Sequence, residues 1–448
     1  MRFLLFVTFA LATGALFAQA KLNAPYSRFG IGDLSPQFFA NAAAQGGQTA
    51  AAHDPFHLNI VNPASYAFLR STALETGIYA KFSHYQSGTD NLDRWSGNLS
   101  YMALGFTLKS PVNEVLDKHK SPWKFGMGAA LTPYSVVGYN ISSIDQVAGL
   151  GNVNNSFNGS GGIYRLNWSN AARYKNTALG ANLGWNFGKF SYENTTTLLR
   201  EDSAADIKAF QNNFRDEISA RGLSWNIGVQ QDLVFKYADK DKETPMKWVT
   251  LGATVESAHR LKLTADQIRL RSTGRSGNGS YLDVDTLFSA IDRTGNLTLP
   301  GAFSFGIQYV NSGKFKVGAQ FGYENWKAYE NDLRTGESFR NTISVSGGLE
   351  FIPDIISYNK YLRRIRYRLG AYYRQDARIV KGENIDDLGI SLGLGLPITL
   401  PRQQTSFVNI AVEAGRFGAG TTVEESYARI TVGFTLNDNS WFYKRRFE

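Results

Sequence analysis

Alternation with a period of two, sustained through segments of ten residues and more, is the feature that most restricts what this chain can become. In LGISLGLGL, Leu388, Ile390, Leu392, Leu394 and Leu396 share one face, while Gly389, Ser391, Gly393 and Gly395 share the other. Ile430, Val432, Phe434 and Leu436 stand likewise opposite Arg429, Thr431, Gly433 and Thr435. Leu179, Ala181, Leu183, Trp185 and Phe187 oppose Gly180, Asn182 and Gly184, and Ile365, Tyr367, Leu369, Ala371 and Tyr373 oppose Arg364, Arg366, Arg368 and Arg374. Successive strand residues point to opposite sides, so each segment reads as a strand with one apolar face and one glycine-rich or polar face.

Such an apolar face is buried against a second sheet or against hydrocarbon, and length separates the two. Sandwich strands usually stop near about 5–6 residues, whereas a tilted membrane-crossing strand needs about 9–11. The candidates lie near 73–86, 97–108, 122–132, 170–186, 190–200, 220–236, 247–259, 302–310, 314–326, 341–352, 364–376, 387–396, 406–416 and 427–436, fourteen in all. Every second connection is fairly short, as near Gly188, at Asn311 to Gly313, and in YADKDKETPM, IPDIISYNKYL, PITLPRQQT and KSPVNEVLDKHKS. The alternate set holds the two longest, roughly Pro133 to Ser169 and Arg260 to Gly301. Short turns on one rim and long loops on the other mark an outer-membrane barrel whose short turns face the periplasm. An open edge would leave backbone groups unpaired in hydrocarbon, so the strands must close into a ring. The expected fold class is all-β: a 14-stranded antiparallel transmembrane β-barrel over residues 73–436.

Composition fits this reading. Gly 44, Phe 30, Tyr 22 and Trp 8 suit strands with interfacial aromatic girdles, and a slightly negative mean hydropathy is what alternation gives a barrel. The first residues, MRFLLFVTFALATGALFAQA, carry one Arg, an apolar run and Ala18-Gln19-Ala20, the small-x-small pattern of a cleaved signal over residues 1–20. The expected mature chain starts at Lys21 and sits, multi-pass, in the outer membrane of a Gram-negative cell. No cysteine is present, which excludes a lipoprotein anchor, disulfides and zinc-thiolate sites. The formal charge of +9, about +8 without Arg2, is spread along the chain without a basic block, so nucleic acid is not an expected partner.

Residues 21–72 lack sustained alternation and are rich in Ala, Gly and turn formers. Within them NIVNPASYAFL surrounds the breaker pair Asn62-Pro63 with apolar residues. A ring of fourteen strands encloses more space than its own side chains fill, so this segment is expected to fold back into the lumen as a plug. The alternative is a periplasmic linker that happens to contain Asn-Pro.

GGQTAAAHDPFHLNIVNPASYAFL, Gly46 to Leu69, resembles the N-terminal hatch of the outer-membrane long-chain fatty-acid transporter (FadL) family, and Asn62, Pro63 and Ala64 match that hatch's Asn-Pro-Ala motif. LPGAFSFGIQYVNSGKFKVGAQFGYENW, Leu299 to Trp326, is similar to a strand, hairpin and ascending strand of the same family. The opening APYSRFGIGDL and closing WFYKRRFE resemble family-like barrels of Bacteroidota. The resemblance implies passive uptake of a hydrophobic or amphipathic small molecule through a lumen site, with sideways exit when the hatch shifts. Similar barrels also serve as accessory subunits of secretion or assembly complexes, so a non-transporting role within an outer-membrane protein complex stays open.

Arg366, Arg368 and Arg374, with Glu256 and Glu413, are expected to point into the lumen. There an arginine would receive an amphiphile's carboxylate while the tail lies among aromatic side chains such as Trp248. An internally paired charge lattice is the preferred alternative. Pro133 cannot donate to a ladder; the resemblance gives it a role at a lateral opening, while the preferred reading is that the third strand ends there. His53 and His57 flank Asp54 and Pro55 without an evident third ligand, so no metal is expected. No nucleophile elbow or framed carboxylate pair points to an enzyme, and no cofactor is implied. Residues 437–448 read as a basic, aromatic periplasmic tail.

Overall fold

The residues that alternate in sequence alternate in space. In the computed structural model Leu388, Ile390, Leu392 and Leu394 are exposed on the outside, while Ser391 between them is fully buried inside. Ile430, Phe434 and Leu436 repeat the pattern against buried Thr431 and Thr435. The structure describes residues 24–108, 121–148, 151–199, 210–238, 244–275, 281–400 and 404–438. The expected signal over residues 1–20 and the tail beyond Asp438 lie outside them. Among the described residues, no helix is long and apolar enough to cross a membrane.

Sixteen long strands follow one another: β1 Thr72–Ser87, β2 Asp90–Thr107, β3 Trp123–Val147, β4 Gly151–Tyr174, β5 Thr177–Leu199, β6 Phe210–Tyr237, β7 Pro245–Glu256, β8 His259–Arg275, β9 Tyr281–Leu299, β10 Ala302–Asn311, β11 Phe315–Glu324, β12 Thr342–Phe351, β13 Arg366–Val380, β14 Glu383–Leu400, β15 Gln404–Phe417 and β16 Glu424–Asp438. All pairs are antiparallel, and β16 closes on β1 from Glu424↔Gln86 to Asp438↔Thr72. Strands β1 to β7 and β10 to β16 form the fourteen-stranded ring, whose closure leaves no edge to face lipid at either end of the sheet. β8 and β9 prolong β7 and β10 beyond it, with β8 pairing the upper part of β6 from Phe210↔Thr273 to Arg221↔Lys262.

Two expected loops are therefore strands. The stretch from Pro133 to Ser169 continues as β3 and β4, paired out to Val147↔Gly151. The stretch from Arg260 to Gly301 is the β8–β9 hairpin. Apart from the exposed row Tyr164, Leu166 and Trp168 at the lower end of the first stretch, their residues are rich in Asn, Ser and Thr without a regular apolar row, because above the membrane neither face needs hydrocarbon-compatible side chains. The turn expected near Gly188 lies instead at Lys175-Asn176, where Lys175 adopts a positive φ. The candidate 170–186 thus straddled a tight hairpin, and the candidate 190–200 is the upper part of β5. Alternation runs unbroken through a two-residue turn, so period alone misplaces it.

The prolonged strands enclose a cluster of Ile163, Phe190, Leu261, Leu263, Leu297 and their neighbours. Inside the ring, Ala24–Ser71 form the plug, a set of short turns with one helical turn at Ala40–Ala43 and a 3-10 helix at Pro63–Phe68. Its core joins Phe39, Leu58, Ile60, Tyr66 and Phe68 to the wall residues Tyr101, Ala103 and Ala130. The glycines on the inner face make room for it: a side chain at Gly228 would collide with the Asn62 amide, and one at Gly180 with the Pro63-Ala64 backbone.

Candidate functional site

Asn62 is wholly buried, and its side chain explains the Asn-Pro turn. Its Nδ2 donates to Ala50 O at 2.6 Å and to Val229 O of β6 at 3.2 Å, while its Oδ1 accepts from the Ala64 N–H at 3.1 Å. Pro63, with φ fixed by its ring and no N–H to leave unpaired, opens the 3-10 helix that this amide caps. Asn62, Pro63 and Ala64 thus seat the plug against β5 and β6.

A buried ionic cluster fastens the opposite side. Asp54 lies 2.8 Å from Arg366, 2.9 Å from Lys316 and 3.2 Å from His57 Nδ1. Glu350 lies 2.7 Å from Arg368, whose Nη1 donates to Asn409 Oδ1 at 2.7 Å. That bond fixes the Asn409 amide, so its Nδ2 donates to His57 Nε2 at 3.0 Å and the imidazole carries its proton on Nδ1. Burial pushes the His57 pKa down. Burial alone would raise that of Asp54, but Arg366 and Lys316 hold the carboxyl well below its usual range. Arg366 therefore binds the plug directly and Arg368 only through Asn409, and the Trp248 ring lies 6.4 Å from that of His53. His53 bonds Asp232 at 3.1 Å. Among the described residues, no group of three or more His, Cys, Asp or Glu side chains is arranged to hold a metal.

Above the plug lies a cavity of about 450 Å³. Phe38, Gly46, Thr49 and Ile60 form its plug side, and Arg374 lines it from β13. Its walls are studded with ion pairs: Arg165–Glu256 at 2.9 Å, Lys81–Glu425 at 2.6 Å and Arg378–Asp33 at 2.7 Å. Two pairs are looser, Arg374–Asp387 at 3.8 Å and Arg429–Glu413 at 3.9 Å. Arg429 Nε and Glu413 Oε2 have no hydrogen-bond partner although both are buried.

The wall beside this cavity is incomplete. β2 pairs β3 only from Met102↔Leu131 to Thr107↔Gly126, and above that level the strands part. Pro133 stands two residues past the last pair, at an irregularity between Pro133 and Ser135 in the β3–β4 register. The strand does not end there, as expected, but bends and continues. The plug takes the place of β2 along this edge: Asp33↔Val136 and Leu34↔Ser135 pair as strand. Gln37 Nε2 donates to Pro133 O at 2.9 Å, Ser35 N to Tyr134 O at 3.0 Å, and Ala24 N to Gly138 O at 2.9 Å. On the other lip Asn98 Oδ1 accepts from the Leu99 N–H at 2.7 Å, a local substitute for the missing ladder. Sequence reasoning missed Asp33, Leu34, Gln37 and Arg378, whose partners lie about one hundred to several hundred residues away. The polar Gln37 and Asp33 amid apolar and turn residues were the one available signal.

No curated protein sequence matches the chain. Its fold is shared with solved outer-membrane barrels. The toluene transporter TbuX of Ralstonia pickettii is 14% identical, with 90% of this chain and 98% of that chain covered and a TM-score of 0.53. A FadL homologue of Pseudomonas aeruginosa is 13% identical, with 90% and 99% covered and a TM-score of 0.54. The toluene transporter TodX of P. putida is 14% identical, with 90% and 99% covered and a TM-score of 0.51. The chain thus shares the fold of these proteins, and the family model described as BamG matches residues 1–448 throughout: the chain belongs to the BamG family.

Proposed function

We propose that this barrel is a passive outer-membrane channel for amphipathic small molecules, gated by the plug. One observation carries the reading: a lumen cavity abuts a wall seam that plug residues close, from Ala24 on Gly138 to Gln37 on Pro133. A shift of that segment would join the cavity to the outer margin of the lipid belt, where Pro133 pairs with the outward-facing Tyr164. The toluene transporters and FadL homologue of like fold support passage of a hydrophobic compound. The charges lining this cavity argue for a ligand with a polar head, since a pure hydrocarbon would strip water from ionised groups and return no hydrogen bond. Arg374 and Arg429, loosely paired, are the proposed receivers of an anionic head; Arg366, Arg368 and Trp248 act through the plug's seating.

Because the chain has no cysteine, Leu34→Cys with Ser135→Cys gives a clean test. These residues are register partners, at a separation a disulfide spans. Oxidation is expected to abolish uptake of a fluorescent fatty-acid analogue into proteoliposomes, and reduction to restore it. Uptake unaffected by the cross-link would refute the route.

A second reading, a non-transporting accessory subunit of an outer-membrane secretion or assembly complex, draws on the buried ionic cluster that ties plug to wall. It predicts co-purification with a second outer-membrane protein in stoichiometric amount, and no uptake by the wild type.

A further inference from the structure

Large apolar side chains stand almost free on the loop from Ile352 to Ile365, between β12 and β13 on the short-turn rim. Ile355 is 50% exposed, Ile356 86%, Tyr358 93% and Leu362 68%. A loop in water has no reason to present such a row, and this one is held in place to do so. Asp354 N donates to Arg363 O at 2.9 Å, and Asp354 Oδ1 accepts from the Ile356 N–H at 3.1 Å. Two tyrosines tie the loop to the barrel. Tyr361 OH donates to Pro397 O of β14 at 3.1 Å, and Tyr367 OH donates to Leu362 O at 3.0 Å.

Tyr367 decides where the loop lies. Its register partner is Phe351, which pairs in turn with Phe315, and both phenylalanines are exposed on the lipid side. Leu362 is thus fastened to the aromatic row that ends the apolar belt, so the loop continues that belt instead of hanging beneath the lumen. Its charges are one-sided: Lys360, Arg363 and Arg364 stand within it, Lys314 stands on the neighbouring turn, and Asp354 is the lone acid, its N–H and carboxylate used inside the loop. Aromatic and aliphatic tips beside cations are what a headgroup region accommodates, the rings at the boundary and the cations on lipid phosphates.

We propose that residues 354–364 form an interfacial foot, seated in the periplasmic leaflet and binding anionic phospholipid headgroups through Lys360, Arg363 and Arg364. Each cation is expected to contribute about fivefold to preference for anionic over neutral lipid. The test uses the full chain in nanodiscs of phosphatidylglycerol or phosphatidylcholine, with a nitroxide on Tyr358→Cys or Ile356→Cys, each the sole cysteine. In phosphatidylglycerol the label is expected to be relaxed by oxygen more than by a water-soluble nickel chelate. Native mass spectrometry is expected to find bound phosphatidylglycerol that falls at least tenfold in Lys360→Gln/Arg363→Gln/Arg364→Gln. Since the label sits on a surface loop, the heat-modifiable gel shift of a folded barrel accompanies each variant. A label open to the nickel chelate in both lipids overturns the proposal. So does protection that arises only with a co-purifying protein, which makes the loop a protein-docking site instead.

Discussion

Two side chains of the plug carry energetics out of proportion to their size. Asn62 satisfies a donor and two carbonyls that the surrounding wall leaves without water. Asn62→Ala is expected to cost about 2–3 kcal/mol, the penalty for leaving buried polar groups unpaired, read as a lowered unfolding midpoint in detergent and as faster proteolysis between residues 24 and 71. Asn62→Asp is expected to be worse, because it aims an acceptor at Ala50 O and Val229 O; equal stability of all three proteins would remove this role. His57 sets a pH dependence whose sign is fixed. Its folded pKa lies below the ordinary value of 6.5, so its contribution is complete above that pH and is lost as pH falls, at no more than about 1.4 kcal/mol per pH unit for one proton. Asp54, depressed from 3.8 by its cations, adds a separate loss only below about pH 4. The melting temperature of the wild type, taken relative to that of His57→Gln at each pH, is expected to fall between pH 7 and 5, and a difference that does not change with pH would remove this role.

At the scale of elements, the plug's leading segment and the third strand behave as one unit, with Arg378 as the fastening between them and β13. Its guanidinium lies 2.7 Å from Asp33 and from Asp376 and donates to Tyr26 O at 2.8 Å. Arg378→Ala is expected to leave Asp33 without a counter-ion and to free the segment from the seam. A thiol placed by Leu34→Cys should then react with a water-soluble maleimide about tenfold faster than in the Arg378 background, and an unchanged rate would show that the backbone pairing to Ser135 and Val136 suffices. Arg378 also marks what sequence reading can reach. The lipid-facing rows, such as Leu388 to Leu394, were legible because hydrocarbon imposes one residue type at every second position. The strand extensions beyond Pro133 and through Arg260 to Gly301 were not, because water imposes no such pattern on Asn, Ser and Thr. Arg366 and Arg368 were legible as inward-facing charges, but the Arg366 partner Asp54 lies some three hundred residues away, so its bonding to the plug was not. Glycine in alternate positions announced a crowded lumen without saying that the Asn62 turn and the Ala50 backbone are what crowd it.

For the molecule as a whole, wall and plug are stabilised by different forces, and this separates their fates. The wall closes through antiparallel ladders whose exchange for water is forbidden in hydrocarbon, and the β2–β3 ladder, with six residue pairs, is where it is weakest. The plug holds by packing of Tyr66, Leu58 and Phe39, by the Asp54 ion pairs to Arg366 and Lys316, and by the Leu58 N–H donated to Glu75. Deleting residues 24–71 should therefore leave a folded, heat-modifiable barrel with a lower melting temperature. It also leaves Arg366, Arg368, Glu350 and Glu75 facing water instead of the plug, a hydrated lumen in place of a dry interface. In planar bilayers the wild type is expected to show no resolved conductance steps and the deleted form to show ohmic ones. Their size should fall when Gly228→Trp and Gly252→Trp refill the space that Asn62 and Ala50 occupied. A deleted form that folds and yet stays electrically silent would mean that the outer cluster around Leu261 and Leu297, not the plug, is the barrier to passage.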